Sequence, residues 1–234
     1  IPQKILGGVG EVFNTSRAII TSLDLSAVLR QGGFIAFGHP IRAAGAFPAM
    51  FRALLSERGQ HRVNQEILSR KNYPLYKRSK LYLAEHGQAL SQMEEAYMSR
   101  WAEKIPLVGA SQRAYVTFLN KLRADSFDAM ANSLGRSGEI TPAEASAIAN
   151  FVNVATGRGT IGMADNAAVG LNTVFFAPRY VASRFQLLAG QPLYRGTWRT
   201  RGLVAQEYVR FLIGAGMVYG LAKMAGAEVE TDPR

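Results

Sequence analysis

The sequence predicts an all-α fold, a multi-helix irregular bundle, and three observations carry that expectation. Apolar residues recur at spacings of three and four over stretches of helical length. One stretch opens on Thr141-Pro142-Ala143-Glu144, a capping box with proline in the first helical turn. Alternating apolar and polar runs longer than four residues, the mark of strands, are hard to find.

Helices are expected over 11–31, 41–57, 59–71, 91–105, 111–134, 142–156, 164–175, 178–190 and 199–226, with Gly-Gly and Gly-Pro clusters between many of them. The run from Ser111 to Leu134 is the clearest. Tyr115, Phe118, Leu119, Leu122, Ala129 and Met130 share one face, and Lys121, Asp125 and Asp128 lie opposite, where a solvated charge pattern is expected. Lys121 and Asp125 are four apart and close enough to pair. In the next helix Ile148, Phe151, Val152 and Ala155 form the buried stripe, and Gly157 is a natural stop. A soft boundary at Gly135 to Gly138 separates a basic N-terminal helical part, 1–134, from a C-terminal helical part with glycine-rich turns, 139–234. The two read as one continuous helical domain of a longer protein, because the chain opens on Ile1 without a signal-peptide pattern and stops at Arg234.

Composition narrows the chemistry. Among 234 residues there is no cysteine, which removes disulfides, thiolate zinc sites, iron–sulfur clusters and cysteine nucleophiles. Three histidines, His39, His61 and His86, make a histidine-rich metal site improbable. The sequence has no G-x-S-x-G elbow, no Walker motif and no H-E-x-x-H. Glu94 and Glu95 are adjacent, so on a helix they point about 100° apart instead of at a shared substrate. Gly157-Arg158-Gly159-Thr160-Ile161-Gly162 spells the dinucleotide fingerprint. That motif requires a strand before it and an acid about 20 residues later. A capped helix precedes it here, and no Asp or Glu lies between Asp165 and Glu207. The expected reading is a helix stop followed by a tight glycine turn. No catalytic residue, cofactor or metal is assigned.

The charge is lopsided, at +10, and 20 of the 27 cations are arginine. Two segments hold the excess. Residues 52–80 carry Arg52, Arg58, Arg62, Arg70, Lys71, Lys77, Arg78 and Lys80 against Glu57 and Glu66. Residues 178–210 carry Arg179, Arg184, Arg195, Arg199, Arg201 and Arg210 against Glu207. Both interleave tyrosine or other aromatics, so both are candidate polyanion-binding surfaces for a phosphate backbone or a lipid headgroup layer. A solvated basic face over core aromatics is the competing reading. Phe211 to Ala222 is an uncharged run of twelve, too short alone for a bilayer. Its small residues Gly214, Ala215, Gly216 and Gly220 form a candidate helix-packing or assembly face. A buried or subunit-packing helix and an interfacial, membrane-inserting one both fit.

Several phrases together resemble a known family. They are Trp101-Ala102-Glu103-Lys104-Ile105-Pro106-Leu107-Val108-Gly109, the helix Ser111 to Arg123, Ala155-Thr156-Gly157-Arg158-Gly159, Phe176-Ala177-Pro178-Arg179-Tyr180, and Leu221-Ala222-Lys223-Met224-Ala225-Gly226. From about Asp24 onward the chain is similar to segments of the large polyvalent or internal virion (ejection) proteins of tailed bacteriophages. The resemblance implies a helical homo-oligomer inside the capsid near the portal vertex. Its partners there would be portal or other virion proteins and packaged double-stranded DNA, and after ejection the host envelope membrane. Some relatives carry a lytic transglycosylase unit. Here no glutamate is followed by serine, as that unit's motif requires, so murein cleavage is not expected. Two rival readings remain: a non-catalytic scaffold domain of a giant phage polyprotein whose enzymes lie elsewhere, and a portal or tail protein that stays in the particle.

Overall fold

The computed structural model describes residues 26–84, 106–160 and 178–227. All regular structure among them is helical. The elements are α1 (Ser26–Gly38), α2 (Pro40–Leu55), α3 (Glu57–Leu68), α4 (Tyr73–Ser79), α5 (Pro106–Gly135), α6 (Pro142–Ala155), α7 (Pro178–Leu188), a 3₁₀ turn (Gln191–Tyr194) and α8 (Trp198–Met224). The expected helices at 91–105 and 164–175, and residues 11–25 of the first one, lie outside the described residues, as does Gly162.

α5 is the axis of the bundle. In its middle turns Phe118, Leu119, Leu122, Ala124 and Phe127 are fully buried, and so are Thr117, Asn120, Arg123 and Ser126. A helix enclosed on this many sides shows a weak amphipathic pattern, because neighbours cover its polar positions as well. α2 lies along it on Ala43, Ala46, Ala49, Met50 and Ala53, and the four alanines let the two axes approach closely. One continuous apolar cluster runs from Phe34 in α1 through α5 and α6 to Leu203 and Val204 in α8. It draws side chains from both sides of the glycine-rich stretch at 135–138.

α6 forms as its sequence dictates. The Thr141 hydroxyl accepts from the Glu144 N–H, and the Glu144 carboxylate accepts in return from the Thr141 N–H at 3.0 Å. At the other end Gly157 takes φ +87°. The Arg158 N–H reaches the Asn153 carbonyl at 2.8 Å and the Gly157 N–H the Val154 carbonyl at 3.2 Å, the two bonds of a Schellman stop. Gly159 is needed for a different reason: a Cβ there would overlap the Ser183 N–H of α7. The described part of the fingerprint motif therefore closes a helix and seats another.

Three expectations are corrected. The pair Gly32-Gly33 does not end the first helix, which runs through it to Gly38. Gly32 instead admits α5, since a Cβ would stand 3.0 Å from Leu122. The packing gained there outweighs the ~1 kcal/mol helix penalty of glycine. A short helix, α4, forms at Tyr73–Ser79 where none was expected, with Pro74 in its first turn. Asp125 and Asp128 are not a solvated face. Asp128 accepts from the Tyr76 hydroxyl at 2.6 Å and the Asn72 amide at 2.9 Å, so α4 and the turn before it cover that side of α5.

The segment after α4 is extended and is fastened to the bundle by two asparagines. The Asn153 amide donates to the Lys80 carbonyl at 2.9 Å and accepts from the Tyr82 N–H at 2.8 Å. Asn120 treats Ala84 likewise, accepting from its N–H at 3.0 Å and donating to its carbonyl at 2.9 Å. Each side chain imitates the donor–acceptor pair of a neighbouring strand, satisfying backbone groups that have no sheet to join.

Candidate functional site

The helices sort the fourteen candidate cations into two populations. On α3 the buried positions are Gln60, Val63 and Ile67, which turns Arg58 and Arg62 outward. Arg52, Lys71, Lys77, Arg78 and Lys80 are exposed beside them. None of these seven enters an ion pair with a described residue. Lys77 lies over the Tyr73 ring, 5.3 Å from its centre.

Arg70 belongs to the other population. It donates to Asp125 at 2.7 Å, Glu66 at 2.9 Å and Asp128 at 3.1 Å. Burial alone would loosen its proton, but the bonds to Glu66 and Asp125 raise the guanidinium well above its ordinary value. Burial pushes Glu66 up as well, yet the bond from Arg70 and the Lys121 charge hold it below its ordinary range. Burial and the bond to Asp128 raise the Tyr76 phenol. This guanidinium ties α3 to α5 and is not presented to a ligand.

The second candidate cluster is mostly structural. Arg199 donates to the Glu144 carboxylate at 3.2 Å and to the Leu134 carbonyl at 2.7 Å. It also bonds Ser137 at 3.0 Å, so a cation from α8 caps the carbonyl end of α5. Arg184 donates to the Gln31 carbonyl at 3.2 Å and lies over the Tyr180 ring at 4.6 Å. Arg210 bonds Glu207 at 2.6 Å, and His39 meets the other oxygen of that carboxylate at 2.6 Å. Burial pushes Glu207 up, but the His39 bond and the His39 and Arg210 charges hold it below its ordinary value. Arg179 is half-buried, and burial lowers its guanidinium. Arg195, Arg201 and Arg210 are the exposed members of this cluster, and of these Arg210 is paired to Glu207 and Arg201 donates to the Tyr194 carbonyl at 3.2 Å. Charge counting along the sequence could not separate the two populations, because Asp125 and Asp128 at Arg70 and the partners of Arg184 and Arg199 arrive from distant parts of the chain, while Glu66 and Glu207 lie one turn from Arg70 and Arg210.

The four small residues of α8 do not share one face. Successive helical residues are about 100° apart, so Gly214 and Gly216 point in nearly opposite directions. Gly214 faces inward, where a Cβ would overlap the Phe37 carbonyl of α1. Gly38 sits at the same crossing, 3.4 Å from the Phe211 nitrogen at its would-be Cβ, and Phe34 stacks on Phe211 at 4.4 Å. Ala215 is half-buried on the flank, and Gly216 and Gly220 face open space. Around them Leu212, Ile213, Met217, Leu221 and Met224 are each more than half exposed. An apolar groove of about 290 Å³ runs between Phe37 and Pro40 on one side and Ile213, Met217 and Val218 on the other. Trp198 at the start of α8, one of the aromatics interleaved with the cations of residues 178–210, is 84% exposed.

Among the described residues no group of His, Asp and Glu could hold a metal ion, and no helix is long and apolar enough to cross a membrane. Comparison with protein-family models, with curated proteins and with solved structures gives no match.

Proposed function

We propose that the chain is a non-enzymatic, helical structural segment of a tailed-phage internal virion (ejection) protein. In this reading it assembles with copies of itself near the portal, lies with its basic face against packaged double-stranded DNA, and passes to the host envelope with the genome. The observation that carries the DNA contact is the exposed cationic face of α3, α4 and the turn between them. Arg58, Arg62, Lys71, Lys77, Arg78 and Lys80 are all exposed there, and the acids on or under these elements are engaged elsewhere, Glu66, Asp125 and Asp128 by Arg70 and Lys121, and Glu57 by Arg113 at 3.6 Å. Outward cations without a described carboxylate partner are available to phosphates, whose neutralisation releases counterions and makes binding steeply salt-dependent. The setting, the virion interior, rests on the resemblance of the quoted phrases to ejection proteins alone.

Duplex-DNA binding measured across a salt series tests this. Affinity should fall at least tenfold between about 50 and 200 mM salt, as contact with several phosphates requires. The triple variant Arg58→Glu, Arg62→Glu, Arg78→Glu should stay folded, because exposed substitutions change stability by about 0.5 kcal/mol or less each. It should lose most of the affinity and flatten the salt slope by about one unit per phosphate contact removed. If that variant binds DNA like the parent chain, the basic face is a solvated surface and the reading falls.

A further inference from the structure

α8 turns one face to the core with Thr200, Leu203, Val204 and Glu207 buried. Its opposite face has a regular composition. Gly202, Val209, Gly216 and Lys223 follow one another at seven-residue intervals, and Trp198, Ala205, Leu212 and Tyr219 fall at the intervening positions of the same repeat. These are the a and d positions of a coiled-coil seam. All are exposed: Trp198 84%, Leu212 66%, Val209 54% and Tyr219 40%. A Cβ on Gly202 or Gly216 would meet nothing within 4 Å. From Gly202 to Ala222 the a and d positions carry no charge; Lys223 stands at one end of the seam, and Arg199 and Arg201 flank Trp198 at the other.

We infer that this seam is a self-association surface, and that two copies of the chain pair through α8 in antiparallel orientation. The two-fold axis would pass between Arg210 and Phe211. It deepens the assembly half of the function proposed above and rests on that reading's homo-oligomer. The self-pairing follows from side-chain volumes. In the antiparallel register an a position of one helix meets a d position of the other. Gly202 then faces Tyr219, Ala205 faces Gly216, Val209 faces Leu212, and Trp198 faces Lys223. The smallest residue receives a large one, two small ones let the backbones approach, and the ammonium lies against an indole face. A parallel pair would set Tyr219 on Tyr219 and Lys223 on Lys223, and would align the two helix dipoles.

Charge agrees with a second copy as the occupant. Each copy is +10, yet from Gly202 to Ala222 the paired strip is neutral in both copies, and a charged partner would gain no ion pair along that stretch. The helix has 27 residues. At 1.5 Å per residue it is about 40 Å long and about 10 Å across, a projected strip of roughly 400 Å² per copy. That lies at the small end of specific interfaces, so the dimer is expected to dissociate in the micromolar range.

Sedimentation equilibrium of the full chain and disulfide trapping test the proposal together. The parent should show a monomer–dimer equilibrium at micromolar concentration, and Leu212→Glu, placed beside the axis on an exposed position, should be monomeric throughout. The parent has no cysteine, so trapping reports on introduced thiols alone. Ala205→Cys mixed with Gly216→Cys should cross-link, and neither should cross-link with itself, because in this register its own copy lies about 16 Å away along the axis. A parent that stays monomeric at hundreds of micromolar, a Leu212→Glu variant that still dimerises, or efficient self-linkage of Gly216→Cys would each overturn it. So would loss of vesicle binding on Leu212→Glu in a chain that is monomeric throughout, which would assign the seam to lipid. DNA affinity of the Leu212→Glu monomer, read in the same salt series, keeps failure of the dimer distinct from failure of the basic face.

Discussion

Replacing Glu144 with alanine is expected to remove about 3–5 kcal/mol of stability, the usual result of breaking a buried charge network from one side. The carboxylate is 1% exposed and receives the Thr141 N–H, the Thr141 hydroxyl, the Thr197 hydroxyl at 2.8 Å and the Arg199 guanidinium. Its loss leaves the start of α6 without half of its capping box and strips Arg199 of its counter-charge where it caps α5. Urea unfolding should show the shift in midpoint with little change in slope. Glu144→Gln keeps the volume and some acceptor capacity, and should lose about 1–3 kcal/mol. The pH dependence has a definite sign. The backbone bond from Thr141 lowers the Glu144 carboxyl below its ordinary value of 4.5, against the opposing push of burial. A carboxyl lowered on folding contributes stability that is present above pH 4.5 and fades as the pH falls through its folded value. The gap between the parent and Glu144→Gln should therefore narrow in acid. A shift under 1 kcal/mol for Glu144→Ala at neutral pH would show that the network does not hold the helices together.

The second large effect distinguishes two glycines six residues apart. Gly214→Ala is expected to destabilise by about 3 kcal/mol, the upper part of the range for overpacking, because the new methyl would overlap a backbone oxygen instead of a movable side chain. Gly220→Ala meets nothing within 4 Å and should stabilise the monomer by about 0.8–1.0 kcal/mol through helix propensity alone. Thermal melts of the two variants, taken at dilutions below the dimer range, should move in opposite directions. Equal shifts of the same sign would mean that α1 does not cross α8 at this residue.

The boundaries of α6 were legible in the sequence because they are set within one turn of the chain. Thr141, Pro142, Glu144 and Gly157 each satisfy a local backbone requirement. Gly32-Gly33 was not legible as helix, since what keeps it helical is the approach of Leu122 and Phe118 from ninety residues away. Asp125 and Asp128 failed for the same reason. Periodicity places them opposite the apolar stripe, but it cannot show that Arg70, Asn72 and Tyr76 come to cover them. The candidate site divides along the same line. Exposed Arg58 and Arg62 follow from the period of α3, whereas the inward roles of Arg70 and Arg199 depend on tertiary partners. The opposition of Gly214 and Gly216 could have been read from helix geometry, as could the seven-residue repeat of α8.

The paired amide contacts at residues 80–84 also define a load path. Asn120 grips both the N–H and the carbonyl of Ala84 from the middle of α5, and from the end of α6 Asn153 grips the Tyr82 N–H and the Lys80 carbonyl, two and four residues earlier. Tension applied to the chain at Ala84 is shared by two hydrogen bonds at once and passes sideways into the longest helix of the bundle before it can reach α4. The bonds must give way together, as in sheared strands, and not one after another as in a peeled helix.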